Sequence, residues 1–373
     1  MINYEYPPIG GGAGKVSKIL SNEFVKLGHD VTVLTSNFES LKGATIENGV
    51  NVIRCKTLRR KIDGSNILEM LLFDLVATLN LKRILKKREY DVSLIFFTLP
   101  CGPLGLFLKS RYNLNYAISM HGVDVPGSEK EYDWVHKLTA SLRRKILKES
   151  IANFAVSESL KKLSEANDKE EVVFIPNGVD TSFFLKDPSE SASDIFEILF
   201  VGRIQNQKNL FYLIDRLSEI YSDNNHFRLT LVGDGPQKNK LMKYAESKIE
   251  KDNIKWISWV DQEIVAKIYQ SANCFVLVSY NEGMPLTALE AMASGLPVIA
   301  SKVVGNVEVV RHGETGYLFD LDKPEDFNKN MIKLMNNPGL CSEFGKNARS
   351  WVEKDFSWTN VARKYINVLK KGL

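Results

Sequence analysis

Two glutamates separated by seven residues, in the stretch Glu282-Gly-Met-Pro-Leu-Thr-Ala-Leu-Glu290-Ala-Met-Ala, have the types and spacing best suited to chemistry in this chain. Pro285 fits the first turn of a helix, where its missing N–H costs nothing. Glu282 and Gly283 are therefore expected in the preceding loop and Glu290 about a turn and a half inside the helix. The free N–H groups of such a helix start can receive a phosphate, and the two carboxylates can accept hydrogen bonds from sugar hydroxyls. Phosphate and hydroxyls together describe a nucleotide sugar. On residue types alone a second reading stays open, in which the block is only a capped entry into a buried helix.

Four further segments carry candidate chemistry. Ile9-Gly10-Gly11-Gly12-Ala13-Gly14-Lys15 precedes a helical pattern, but Val16 and Ile9 stand where a P-loop needs a hydroxyl residue and a glycine. Lys15 stands where a dinucleotide fingerprint needs its third glycine. What remains is a turn without side chains at a helix start, able to approach a phosphate or a sugar, or simply a tight turn. Ser119-Met-His121-Gly-Val-Asp124 ends an apolar run, and taken alone a histidine after a strand is more often structural than catalytic. Gly202-Arg203 followed by Lys208 places two cations five apart at a strand-to-helix junction. Leu231-Val-Gly233-Asp-Gly-Pro236 is a glycine turn that packing alone can explain. Asp320-Leu-Asp322, a metal-type spacing, precedes Pro324 and reads as helix capping.

The block from Glu282 onward resembles the paired-glutamate motif of the retaining glycosyltransferases of family 4, down to the order P-L-x-x-x-E-A-M-A. His121 and Asp124 resemble that family's H-G-x-D, Arg203 and Lys208 its G-R-x(4)-K, and residues 175–180 and 231–236 its P-N-G-V-D and G-x-G-P turns. The resemblance implies roles. Arg203 and Lys208 would neutralise the leaving diphosphate, Glu290 would hold the ribose, and Glu282 with the backbone of Gly283, Met284, Pro285 and Leu286 would grip the sugar. Gly11, Gly12, Gly202 and Gly233 would lie along the donor, His121 against the transferred sugar, and Asp124 on the acceptor side. The activity so implied moves a hexosyl unit from a nucleotide-diphospho-sugar to a hydroxyl of a glycan or lipid-linked glycan, with retention and with neither metal nor cofactor. A nucleotide-sugar epimerase and a non-catalytic nucleotide-sugar-binding homologue are the alternatives. A dehydrogenase is disfavoured for want of the glycine fingerprint.

The elements that must position these residues follow from periodicity. Short β-branched and aromatic runs alternate with helical patterns such as 12–27 and 132–150, which argues for parallel sheets covered on both faces. Ligands in such sheets bind beyond the carboxyl ends of the strands. At 373 residues, two domains are expected. These are 1–185 and 197–355, joined by the acidic, serine-rich linker 186–196. Resemblance makes them the two Rossmann-like domains of the GT-B fold, facing across a donor-binding cleft, with 356–373 crossing back onto the first. It also implies that the first strand, 1–6, is shortened relative to the family.

Hydrophobic residues at 44% and charged residues at 25% describe a globular chain. Cys55, Cys101, Cys274 and Cys341 have no metal-type spacing and are expected as buried thiols of a cytoplasmic protein. No signal peptide is legible, and the apolar run 92–108 is broken by Pro100, Gly102 and Pro103. Residues 1–186 carry 26 Lys and Arg against 21 Asp and Glu, net +5, and the remainder carries 23 against 24, net −1. The basic clusters near 59–61, 82–88 and 143–148 are solvated helix faces or, alternatively, contacts to anionic headgroups on the inner face of the cell membrane. The loops 56–66 and 126–131 are the expected readers of the acceptor.

Overall fold

Apolar runs such as Cys274–Leu277 and Val298–Ser301 are buried along their whole length, as strands covered by helices on both sides must be. The computed structural model describes residues 1–373 except 39–40, 42, 58, 60–64, 129, 186–194, 222–225 and the side chain of Lys130. Arg60, Lys61, much of the loop 56–66 and the linker 186–194 therefore lie outside the described residues. No described helix is long and apolar enough to cross a membrane.

The chain divides into two units, Met1–Asn177 with Trp358–Leu373, and Gly178–Ser357. The first contains β1 Thr32–Ser36, β2 Gly43–Glu47, β3 Val50–Cys55, β4 Val92–Phe96, β5 Asn115–Met120, β6 Asn153–Ala155 and β7 Val173–Phe174. They hydrogen-bond in the orders β1-β3-β2 and β4-β5-β6-β7. Ile2 bridges Leu34 of β1 and Ile95 of β4, so only a short piece of the expected strand 1–6 pairs. Beyond it the backbone turns to side-chain partners, with Ser36 Oγ donating to the Tyr4 carbonyl at 2.6 Å. The parallel expectation meets one exception: β2, unmarked in the sequence reading, runs antiparallel to β3 at the exposed edge of its sheet.

The second unit holds β8 Phe196–Val201, β9 Phe227–Val232, β10 Ile254–Ile257, β11 Cys274–Leu277, β12 Val298–Ser301 and β13 Gly316–Phe319. All run parallel in the order β10-β9-β8-β11-β12-β13. Its boundary differs from the sequence expectation because Phe184, 2% exposed, belongs to this core. Phe184 packs edge-on against Tyr269 with ring centroids 5.7 Å apart, and its carbonyl accepts from Arg349 at 3.0 Å. The division thus falls between Asn177 and Gly178 rather than at 186–196.

The last helix, Trp358–Gly372, lies in the first unit beside the helix Gly12–Lys26, where Thr359 Oγ1 donates to Glu23 at 2.8 Å. The single helical pattern over 132–150 is corrected to two helices, Asp133–Leu138 and Ala140–Glu149. Trp134, Leu138 and Leu142 are exposed while Ile146 is buried, so the row of apolar residues four apart is not one core face. The buried side of the second helix is set instead by Arg143, whose guanidinium meets Asp168 at 2.8 Å with both side chains nearly inaccessible. All four cysteines are thiols; Cys55, Cys101 and Cys274 are buried as expected, whereas Cys341 is only half-buried.

Candidate functional site

The candidate residues fall into one group in each unit. In the second unit they follow the carboxyl ends of three adjacent strands, β9, β8 and β11, the position at which open parallel sheets bind ligands. The turn Asn206–Lys208 after β8 is held to the loop after β11 by main-chain and side-chain bonds. Tyr280 N donates to the Gln207 carbonyl at 2.9 Å, and Gln207 Nε2 to Asn281 Oδ1 at 2.8 Å. This brings Lys208 Nζ to 2.5 Å from Glu282 Oε1, which also accepts from Ser279 Oγ at 2.6 Å. Glu282 therefore orients Lys208.

The helix after that loop begins at Leu286, with Pro285 as its cap and no side chain capping its N-terminus. Pro285 thus lies one position earlier than expected, and Glu290 is the fifth helical residue. Glu290 is 5% exposed, and its Oε2 accepts from Tyr269 Oη at 3.2 Å. Burial first, and Glu290 second, push the Tyr269 hydroxyl well above its usual range, so it stays a donor to the carboxylate. Met284 and Pro285 are buried, whereas Gly283 and Leu286 remain partly exposed.

Two glycines here answer to packing. A Cβ on Gly233, whose φ is +137°, would lie 2.1 Å from the Gly202 carbonyl oxygen. The turns after β8 and β9 touch backbone to backbone at that point. Gly305, after β12, was not anticipated. Its φ is +84°, and a Cβ there would lie 2.5 Å from the Gly283 oxygen and 2.6 Å from that of Glu282. Arg203 follows Gly202 at the end of β8. Asp320 and Asp322 are exposed, and Asp320 accepts the Asp322 N–H at 3.1 Å in a turn ahead of the helix Pro324–Met335; that helix has Lys323 at its cap and no side-chain cap, so solvation rather than the expected capping accounts for the pair.

In the first unit His121 follows β5. Its ring stacks on Phe96 at 4.9 Å and an interplanar angle of 10°, with Phe97 tilted at 5.7 Å. Phe97 adopts φ +68°, a conformation rare for an aromatic residue, and its N–H donates to the Ser119 carbonyl at 2.8 Å. Part of the imidazole still meets solvent, but this packing desolvates it and lowers its pKa to about 3. A neutral ring at physiological pH exchanges hydrogen bonds and lends no positive charge. Because the folded pKa lies below the unfolded value of 6.5, His121 is expected to reduce stability as pH falls from about 6.5 toward 3. Acid unfolding of His121→Gln should show a smaller fall over that interval, and an unchanged curve would contradict it.

Asp124, 4% exposed, accepts from Thr98 N at 2.8 Å, His121 N at 3.0 Å and Gly122 N at 3.2 Å. Burial raises its pKa against these bonds. Its oxygens accept from the His121 turn and from Thr98, so it braces that turn. Ser119 Oγ lies 3.0 Å from His121 Nε2 and 3.0 Å from Tyr365 Oη on the last helix. The chain Tyr365, Ser119, His121 ties the imidazole Nε2 to the last helix, a link across 246 positions that no local motif could signal. Tyr365→Phe is expected to change the His121 tautomer balance by nitrogen NMR and to lose about 1 kcal/mol of stability. A stability loss with an unmoved tautomer would leave Tyr365 a packing residue only.

The glycine turn after residue 9 divides in two. Gly10 has φ +93° and no room for a Cβ, which would lie 2.5 Å from Glu5 Cβ. Gly11 and Gly12 are exposed, and a Cβ on either would meet nothing within 4 Å, so packing does not demand glycine there. Gly11 N donates to Glu5 Oε2 at 3.0 Å, and the helix starting at Gly12 has no side-chain cap. Sequence reasoning passed over Tyr269, Gly305 and Tyr365, whose contacts lie far along the chain, and also Glu5, Ser279 and Ser119, whose partners are two to six residues away but which belong to no motif.

Residues 10–183 match the family described as Glycosyltransferase Family 4, and residues 182–351 match Glycosyl transferases group 1. An uncharacterized glycosyltransferase of Methanocaldococcus jannaschii is 28% identical over 99% of this chain and 97% of its own. Among solved structures, sucrose-phosphate synthase from Thermosynechococcus elongatus aligns with a TM-score of 0.87 at 21% identity, covering 99% of this chain and 97% of that one. An Anabaena protein in complex with UDP-glucose aligns with a TM-score of 0.78 at 16% identity, covering 99% and 98%. Two parallel-sheet units with this match from end to end identify the protein as a glycosyltransferase of family 4 with the two-domain GT-B fold.

Proposed function

We propose that the protein transfers a hexosyl unit from a nucleotide-diphospho-sugar to a hydroxyl of a glycan or lipid-linked glycan, with retention at the anomeric carbon and without a metal ion. The observation that supports this reading is the joint Lys208–Glu282–Ser279 cluster, which holds the Lys208 ammonium in the turn Asn206–Lys208 after β8. Arg203 and Lys208 stabilise the charge that grows on the diphosphate as its bond to C1 breaks. The acceptor oxygen bonds to C1 on the same face, and its proton passes to the departing phosphate oxygen. Glu290 binds the ribose hydroxyls, its free rotation limited by Tyr269. His121, neutral, hydrogen-bonds the transferred sugar, and the turn at Gly11 and Gly12 leaves space for the donor phosphates or the acceptor.

The similar Anabaena structure holds UDP-glucose, which makes UDP-sugars the first donors to test. Thermal-shift titration with UDP-, GDP- and ADP-sugars in excess EDTA is expected to raise the melting temperature with one nucleotide class by mass action. Once an acceptor is found, NMR of the product from an α-linked donor should show an α-linkage. Dependence of donor binding on added metal, or an inverted product, would overturn the corresponding part of the proposal.

A further inference from the structure

The helix Ile67–Leu85 turns a row of large apolar side chains to solvent: Ile67 is 48% exposed, Leu68 76%, Leu71 55%, Leu75 68% and Leu79 57%. Ile67, Leu71, Leu75 and Leu79 recur every four residues and form one stripe about 18 Å long, while Phe73, Ala77 and Leu81 bury the opposite side. Soluble surfaces rarely leave so continuous an apolar row uncovered. The stripe runs directly into Lys82, Arg83, Lys86 and Lys87, all exposed, and into Arg88, which is exposed but paired with Asp30 at 2.7 Å. The helix has two carboxylates, neither beside the basic end: Glu69 closes the capping box with Asn66, and Asp74 is largely buried.

A second patch of the same kind lies on the same unit. Trp134 is 60% exposed, Leu138 77% and Leu142 38%, and Lys137, Arg144, Lys145 and Lys148 around them are exposed. The helix Gly102–Tyr112 packs against both Ile67–Leu85 and Ala140–Glu149, so the three lie side by side on one layer of the first unit. Apolar side chains, an exposed tryptophan and clustered cations are the combination that binds the interface of an anionic bilayer. A second copy of the chain would bring these like-charged clusters together, which disfavours a homodimer at this face.

We propose that this helical layer of the first unit seats on an anionic membrane surface. The leucine stripe enters the boundary between headgroups and acyl chains, and the basic residues meet lipid phosphates. The proposal does not depend on the donor or acceptor assigned above.

Co-sedimentation with phosphatidylcholine vesicles containing about 30% phosphatidylglycerol tests it, since the electrostatic part is screened by salt. Binding is expected at low salt, at least about tenfold stronger than to phosphatidylcholine alone. Leu71→Ser/Leu75→Ser/Leu79→Ser is expected to weaken it at least about tenfold, and Lys86→Gln/Lys87→Gln several-fold. A fluorophore on Leu79→Cys, in the otherwise unchanged chain, should shift to the blue with the anionic vesicles, a readout independent of how the triple variant folds. Absence of binding, equal binding to both vesicle types, or an unshifted fluorophore would overturn the proposal. So would a dimer in ultracentrifugation that the leucine substitutions dissociate, which would make the face an interface between copies.

Discussion

Lys208→Ala is expected to lower turnover by about a hundredfold to a thousandfold, the effect of removing one preorganised donor from a charge-developing transition state. Two terms add. The variant loses the cation that would meet the leaving diphosphate, and it also leaves Glu282, 9% exposed, without the ammonium 2.5 Å from its Oε1. An uncompensated carboxylate at that point repels the same phosphates. The double variant Lys208→Ala/Glu282→Gln should therefore recover part of the donor affinity lost by Lys208→Ala alone, the non-additive behaviour of groups in contact. Thermal shift with the true donor and single-turnover kinetics separate the two terms. Wild-type turnover in Lys208→Ala would remove the basis of the proposed mechanism. Strictly additive effects would mean that the contact with Glu282 has no part in holding the cation.

Gly305→Ala is the second substitution with a large expected effect, although Gly305 lies outside every motif that drew attention in the sequence. At φ +84° and ψ −46°, outside the regions that L residues populate, an alanine is strained by about 1–3 kcal/mol, and its Cβ would press on the carbonyl oxygens of Glu282 and Gly283 at 2.5–2.6 Å. Backbone has to move, and it is the backbone proposed to grip the sugar. Glu282 N already donates to the Val304 carbonyl at 3.1 Å, so the two loops shift together. A displacement of about 1 Å is enough to cost about a hundredfold in rate. The melting temperature should fall by a few degrees, roughly what about 1–3 kcal/mol of overpacking costs. Gly11→Ala is the contrast, because its Cβ meets nothing, and its melting temperature should be unchanged. If Gly305→Ala keeps full activity, the loop is softer than its packing implies.

The helix that carries Glu290 and the strands before Gly202, Gly233 and His121 were legible because their signals are local. Pro285 marks a helix start by its ring, and the apolar runs mark buried strands by their composition. Where the reading failed, the deciding contact lay elsewhere in the chain. Trp134, Leu138 and Leu142 have the spacing of a core face, but the buried pair Arg143 and Asp168 sets which side of that segment turns inward. Phe184, at the end of the expected first domain, belongs to the second unit because its ring packs against Tyr269.

What the sequence determined by itself was the chemistry on offer: which side chains can hold phosphate and hydroxyls, and that they follow strands in a parallel α/β frame. Their identities and spacing are properties of the chain and survive any arrangement of the rest. The tertiary structure alone decided which of them are occupied by one another. Lys208 and Glu282 form one pair, Asp124 is taken up by backbone N–H groups, and His121 is neutral between its aromatic neighbours and tied to Tyr365 through Ser119. The physical reason is that desolvation, pairing and tautomer depend on what surrounds a group within a few ångströms, and those surroundings come from residues tens to hundreds of positions away.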